Sequence, residues 1–414
     1  MAVDTVTRLY VDGLRSIEEL AISLRGLTVL IGDNGSGKSA IVEACEILRR
    51  ASTEGFFNDL HNIHGGLFSL LRHGERRLFL GVDVDGAGPP LVYRITLAQD
   101  GPYTVIEDEL LVLEPEGLLL IARTRNDAQV YRDGEMMKRI EVAPDQLLLT
   151  AASGPFSPHP ALPRMRRALA NLEVHVPFEV MPSWVAKADG RRSEARGEMQ
   201  LQRVDRLERL GKNLPNVFAA LQNEFGTAHW NETMEYVRLG LGQHIETISL
   251  RAGAAGMHSL WLKLRDRDAQ IPATSLADGV LSYLAFVALF RLPRPDRSLL
   301  AFDEPELHMH PELLARVLGF FEAMAEKHPV ILATHSDRLL DALSKPEEAV
   351  RVCELEQPEA KTRLRTLDAD ALSRWLSDYR GLGDVRSAGY LPHVLAEPAE
   401  KPPTKDAPGE DGSS

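Results

Sequence analysis

Apolar positions follow different rhythms in different parts of the chain. Residues 27–31, LTVLI, form a short continuous apolar run that stops at a cluster of glycines. From Ala40 onward, Ile41, Ala44, Ile47 and Leu48 return at helical spacing. The pattern predicts a buried strand, a tight loop and a helix. Upstream, residues 6–31 read as two short strands, TRLYVDGL and LTVLIG, around RSIEELAISLRG. Downstream, RRLFLGVDVDG, LVYRITLAQ, YTVIEDELLVLEP and AQVYRDGE alternate apolar and polar residues between Gly, Pro and Asp breaks, the rhythm of antiparallel strands.

The proline-punctuated stretch SGPFSPHPALPR, 153–164, marks a boundary. Beyond it PRMRRALANL, MQLQRVDRLERL and NLPNVFAALQNEF have a helical period, so 156–244 is expected as a helical insertion. Its heptads are too short for a protruding coiled coil. From about residue 245 strands return and then alternate with helices: helix 279–291, strand 297–303, helix 312–326, strand 329–334. Such alternation implies a parallel sheet covered by helices, hence an α/β fold. The expected organisation is an N-terminal lobe with a β subdomain at 1–155, the insertion at 156–244, a C-terminal lobe at 245–396 and a disordered tail at 397–414, rich in Pro, Gly and charge.

Composition, 44% hydrophobic and 26% charged over 414 residues, suits a globular chain with a large core. The net charge of −13 argues against indiscriminate nucleic-acid binding. It leaves room for a local basic track from Lys187, Arg191, Arg192 and Arg196. Cys45 and Cys353 have no metal or disulfide spacing, which suits a reducing cytosol. The most apolar window, LSYLAFVALF from Leu281, is far shorter than the about 20 residues of a membrane helix. Asp4 and Arg8 interrupt any cleavable signal, so a cytoplasmic protein is expected.

Three places carry chemistry. Gly32-Asp33-Asn34-Gly35-Ser36-Gly37-Lys38-Ser39, followed by Ala40, has the spacing of a phosphate-binding loop. Its glycines let successive N–H groups turn inward, Lys38 reaches the β- and γ-phosphates, and the Ser39 hydroxyl meets Mg2+. The cofactors expected are therefore ATP and Mg2+. In RSLLAFDEPELHMHP an apolar strand ends in Asp303 and Glu304. Two carboxylates there are costly unless they meet a metal and a water, so Asp303 is assigned to Mg2+ and Glu304 to general-base catalysis. In PVILATHSDRL a third apolar strand ends at His335, placed to bond the γ-phosphate and sense it.

In this order, phosphate loop, Asp-Glu and His, the chain resembles the head of an ABC-type ATPase of the RecF/SMC/OLD-like branch. The segment Asp303-Glu304-Pro305-Glu306-Leu307-His308-Met309-His310-Pro311 carries the closest likeness. The resemblance implies a P-loop core with a mixed sheet, and an ATP-induced homodimer with nucleotide sandwiched head to tail. Ser275, Leu276, Asp278 and Gly279 then stand at the signature position that completes the partner's site, and Met309 and His310 at the loop that crosses the interface. The pair His308 and His310 belongs to that loop, in preference to a metal site. Arg15 matches a basic residue placed near the nucleotide.

Two features depart from the resemblance. No glutamine lies between Ser39 and Gln99, so the usual contact to Mg2+ is missing or supplied from NDLHNIHGGLF. The signature reads Ser-Leu-Ala-Asp-Gly, out of the usual order. Asp368 and Asp370 resemble the acidic pair of a Toprim nuclease, but too little chain follows His335 to build one, and N-capping of the next helix explains them. The readings carried forward are an ATP switch in DNA maintenance, repair or phage defence with a separately encoded nuclease or other effector, a transporter-energising subunit, and a non-hydrolysing dimerisation module. The missing glutamine weighs against the second, and Glu304 against the third.

Overall fold

The computed structural model describes residues 3–132, 134–181, 194–253, 256–265 and 270–396; the expected tail and Lys187, Arg191 and Arg192 lie outside the described residues. The N-terminal hairpin β1 (Thr5–Leu14) and β2 (Ile17–Ser23) precedes β3 (Leu27–Gly32). Residues 6–31 thus hold three strands, one more than expected. In β2, Leu20 and Ile22 are buried between exposed Glu19, Ala21 and Ser23, so over this stretch one face packs and the other meets solvent. After the helix Lys38–Arg50 come β4 (Arg77–Asp85), β5 (Leu91–Asp100), β6 (Tyr103–Leu113), β7 (Leu118–Thr124), β8 (Ala128–Arg132) and β9 (Glu135–Arg139). With the hairpin they form an eight-stranded sheet in the order β2-β1-β4-β5-β6-β7-β8-β9. The run at β7 was absent from the expected strands because it lacks alternation.

The segment expected as a helical insertion is not wholly helical. It holds the helices Ala161–Ala170, Leu214–Asn223 and Thr227–Leu241, but also β10 (Leu172–His175), which pairs parallel with a central strand of the core sheet. Glu173 and His175 hid that strand. Both are buried: Glu173 accepts from Arg297 Nε at 2.7 Å and lies 3.0 Å from His175 Nε2. Residues 199–210 also depart from the expected helix. They begin as β11 (Met199–Gln200) and then run irregularly, because Asn213 bonds their backbone, accepting from Glu208 N–H at 2.8 Å and donating to Arg206 O at 2.9 Å. β12 (Ile245–Ala252), β13 (Met257–Leu264) and β14 (Gln270–Pro272) complete a small antiparallel sheet in which β13 pairs with β11, β12 and β14.

The remaining strands, β15 (Leu299–Asp303), β16 (Val330–Ala333), β17 (Val350–Glu356) and β18 (Lys361–Arg365), complete the central six-stranded sheet, ordered β10-β15-β16-β3-β17-β18. All pairings are parallel except β17–β18. This sheet is covered on both faces, which explains its unbroken apolar runs. Leu30, Leu299, Ala301 and Ile331 enter one core with the helix Lys38–Arg50 and the eight-stranded sheet. Val29, Ile31, Leu300, Phe302 and Leu332 enter a second core with the helices Asp278–Arg291 and Pro311–Ala325. Among the described residues no helix is long and apolar enough to cross a membrane.

Candidate active site

β15, β16 and β3 are spatial neighbours, and the loops leaving their C-terminal ends carry Asp303-Glu304, His335 and the phosphate loop. Parallel topology therefore gathers three segments far apart in sequence at one edge, where open α/β sheets bind ligands. Two loop glycines are demanded by packing as well as by backbone angle. Gly32 has φ 144°, and a Cβ there would lie 2.1 Å from Cys353 O of β17. Gly37 has φ 100°, and a Cβ there would lie 2.4 Å from Thr362 Oγ1 of β18. Thr362, which sequence reading overlooked, is buried and anchored to Ser16 by an N–H bond to its carbonyl at 2.9 Å and a hydroxyl contact at 2.8 Å.

Lys38 Nζ donates to Gly32 O at 2.9 Å and Asp33 O at 2.8 Å. Burial lowers its pKa, and the charge of Arg386 adds to the effect against Cys353 and Asp303. Ser39 Oγ donates to Asp303 Oδ1 at 3.2 Å, so the two predicted Mg2+ ligands are brought together. The Asp303 carboxyl is pushed up to about 6, chiefly by burial, with Glu304 and Glu306 adding repulsion and the Ser39 bond opposing it. A hydroxyl and a carboxylate, with further acidic oxygens beside them, are the hard donors a dication such as Mg2+ takes.

Glu304 occupies the left-handed region, φ 48°, and its N–H bonds Ala333 O at 2.8 Å. Its Oε1 stands 4.0 Å from His335 Nε2, pairing the predicted base and sensor. Glu306 Oε1 accepts the His335 N–H at 2.7 Å, tying the sensor loop to the carboxylate loop. The second Glu of Glu-Pro-Glu was the only sequence signal for that role. On the far side Arg386 donates to His335 O at 3.5 Å and to Asp337 at 3.1 Å.

Arg15 does not join these groups directly. Its guanidinium is committed to Glu43 on the helix Lys38–Arg50, at 3.0 and 3.1 Å, and to Ser69 O at 2.6 Å. Within NDLHNIHGGLF, His64 turns to the same Glu43, Nδ1 to Oε1 at 2.9 Å. Glu43 lies one helical turn after Ser39, so both side chains stand behind the phosphate loop. Asp368 accepts from Ala371 N–H at 2.7 Å, capping the helix Ala369–Trp375.

Ser275 ends a short turn, Ala273–Ser275, and Asp278 and Gly279 open the helix Asp278–Arg291. A Cβ on Gly279 would lie 3.0 Å from His308 O, so this segment packs against the loop holding Met309 and His310. His310 caps the helix Pro311–Ala325, its Nδ1 accepting from Glu312 N–H at 3.4 Å. Arg196 is no part of a basic surface track: it is 1% exposed and turns its guanidinium into the 273–278 segment.

The phosphate loop, the Ser39–Asp303 contact and the Glu304–His335 pair lie at adjacent strand ends of a P-loop ATPase fold, the fold of ABC-type heads of the SMC/RecF-like branch. The chain belongs to the family described as "AAA domain, putative AbiEii toxin, Type IV TA system", whose pattern matches residues 27–341. Among solved structures it is similar to the SmcHead bound to the C-winged helix domain of ScpA, at 12% identity and a TM-score of 0.53, covering 88% of this chain and 99% of that one. A second similar structure is the Smc head domain with an extended coiled coil bound to the C-terminal domain of ScpA derived from Pyrococcus furiosus, at 14% identity and a TM-score of 0.48, covering 91% and 99%. No curated protein matches this chain.

Proposed function

We propose that this chain is a Mg2+-dependent ATPase that closes into a head-to-tail homodimer on ATP and reopens on hydrolysis. The observation that carries the reading is the joint placement of Ser39 against Asp303 at 3.2 Å and of Glu304 against His335 at 4.0 Å. Gly32 to Ala40 cradle the phosphates, Lys38 exchanges its loop carbonyls for phosphate oxygens, and Ser39 and Asp303 hold the metal. Bound Mg2+ neutralises charge on the β- and γ-phosphate oxygens. Glu304 takes a proton from the water that attacks the γ-phosphorus while the bond to the bridging oxygen breaks, releasing ADP and phosphate. His335 bonds the γ-phosphate and reports its loss through Glu306. Ser275, Leu276, Asp278 and Gly279 complete the partner's site, with Met309 and His310 at the interface.

The test is molar mass in solution with and without Mg-ATP, for wild type and Glu304→Gln, with phosphate release in parallel. Loss of a general base lowers turnover by roughly 10²–10⁴-fold. Glu304→Gln is expected to do so and to trap an ATP-dependent dimer; an ATP-independent mass with turnover retained sinks the mechanism. The family description, which names a putative toxin of a toxin–antitoxin system, supports a role in defence; the cytoplasmic setting and a separately encoded effector or DNA as the output partner are proposed from the sequence and its resemblance. A pull-down from the native host checks this: a nuclease or other effector is expected, and membrane permease subunits favour the transporter reading.

A further inference from the structure

Arg196 sits in the short helical turn Glu194–Arg196, about 80 residues before the signature segment, and is among the largest fully buried side chains. Its guanidinium is spent on backbone. Nε donates to Val180 O at 2.7 Å, and Nη1 to Ala273 O at 3.0 Å, Leu276 O at 2.7 Å and Thr274 O at 3.3 Å. Nη2 pairs with the Asp278 carboxylate. A buried cation is tolerated only when its charge and its donors are met, and here one carboxylate and four carbonyls meet them.

These bonds shape the segment. Ala273 and Leu276 are drawn inward, while Thr274, Ser275 and Ala277 remain exposed at the start of the helix Asp278–Arg291. Within 273–276 the backbone's own bond is a weak turn, Leu276 N–H to Ala273 O at 3.3 Å. Ala277 O then accepts from Val280 and Leu281 N–H at 3.0 and 3.2 Å, and the side chains of Ala273 and Leu276 enter the second core, so Arg196 is what ties the carbonyls of 273, 274 and 276 together. Lysine could not replace the brace. An ammonium offers three donors from one point, whereas the planar fork spans Val180 on one side and residues 273–278 on the other.

We propose that Arg196 is the positioning residue of the trans-acting loop: it holds residues 273–278 in the shape that completes the nucleotide site of a second copy of this chain, and it leaves its own phosphate loop untouched. The inference rests on the head-to-tail reading. Its chemistry predicts a division of labour, in which loss of the brace impairs the partner's site and spares nucleotide binding to the chain that carries the change.

The test uses the full chain as Arg196→Lys, alone and combined with Glu304→Gln. Losing a bidentate fork is expected to weaken ATP-induced dimerisation of the double variant and turnover of Arg196→Lys by roughly ten-fold or more. Fluorescent-nucleotide binding to Arg196→Lys should stay within about two-fold of wild type, as a remote brace predicts. Mixing Arg196→Lys with Glu304→Gln, each deficient alone, pairs an intact phosphate loop and Glu304 with an intact signature loop. With random pairing half of the dimers are mixed and each holds one intact site of two, so this restores turnover toward a ceiling of about a quarter of wild type, above that of either variant alone. A residue that merely braced the fold gives no such recovery. If Glu304→Gln dimerises and Gly279→Asp blocks it, but the double variant carrying Arg196→Lys dimerises as Glu304→Gln does, the brace is refuted while the head-to-tail reading stands. If Glu304→Gln forms no ATP-dependent dimer, the reading beneath fails and the proposal with it.

Discussion

Gly37 shows how a single position serves two masters. Its φ of 100° suits a loop that turns N–H groups toward an anion, and Thr362 fills the space a side chain would need. Gly37→Ala should therefore destabilise the fold by more than about 1 kcal/mol in thermal unfolding and abolish nucleotide binding. Adding Thr362→Ala should recover part of the melting temperature, because it removes the hydroxyl and methyl contacts but leaves the backbone strain. The glycine pattern was legible in sequence because it answers to local geometry. Thr362 was not, since nothing near it in the chain marks it as the wall behind the loop. Arg196 makes the same point from the other side: it was read as part of a basic track, and it is committed to the 273–278 carbonyls that only folding brings near, as Arg15 is paired with Glu43.

At the scale of elements, β10 joins the core sheet through charge as well as hydrogen bonds. Glu173 is fully buried between Arg297, His175 and Arg294, whose charges hold its carboxyl well below the usual carboxylate range against the cost of burial. Glu173→Gln leaves the buried Arg297 guanidinium without its counter-ion, while Arg294 keeps Asp296 at 3.1 Å, and should cost about 3 kcal/mol. The sign of the pH effect follows from the depressed pKa. Folding favours the ionised form, so this contribution is complete above the ordinary value of 4.5 and fades as pH falls below it. The difference in unfolding free energy between wild type and Glu173→Gln should thus be level above about pH 5 and shrink on acidification. The helices Asp278–Arg291 and Pro311–Ala325 were legible from their length and apolar content, and β15 and β16 from unbroken apolar runs that are buried at nearly every position. Periodicity missed β10, four residues long with two ionisable side chains, and it assigned a helix to 199–210, where Asn213 and pairing with β13 override local preference.

Across the whole molecule, one parallel sheet separates two cores, and the site lies along its edge. Alternate residues of β3 and β15 enter opposite cores, so a ligand held at their ends should stabilise both. Of the four tryptophans, Trp230 and Trp375 pack against the second core, so variants that keep only these two give fluorescence from that core, whereas circular dichroism reports both sheets. Mg-ATP at a hundred times its dissociation constant should add about 2.7 kcal/mol. Both probes should rise together in melting temperature; a shift in circular dichroism without one in tryptophan fluorescence would show that the cores are uncoupled. The sequence by itself determined the phosphate loop, the Asp-Glu and His segments and the α/β alternation, because each depends on residues adjacent in the chain or repeating at a fixed period. Tertiary structure alone decided that Ser39 meets Asp303, that Glu306 holds the His335 backbone, and that Arg196 binds the carbonyls of residues 273, 274 and 276. Those contacts join residues 29 to 264 positions apart, and their partners are chosen by strand order and packing, which no local pattern encodes.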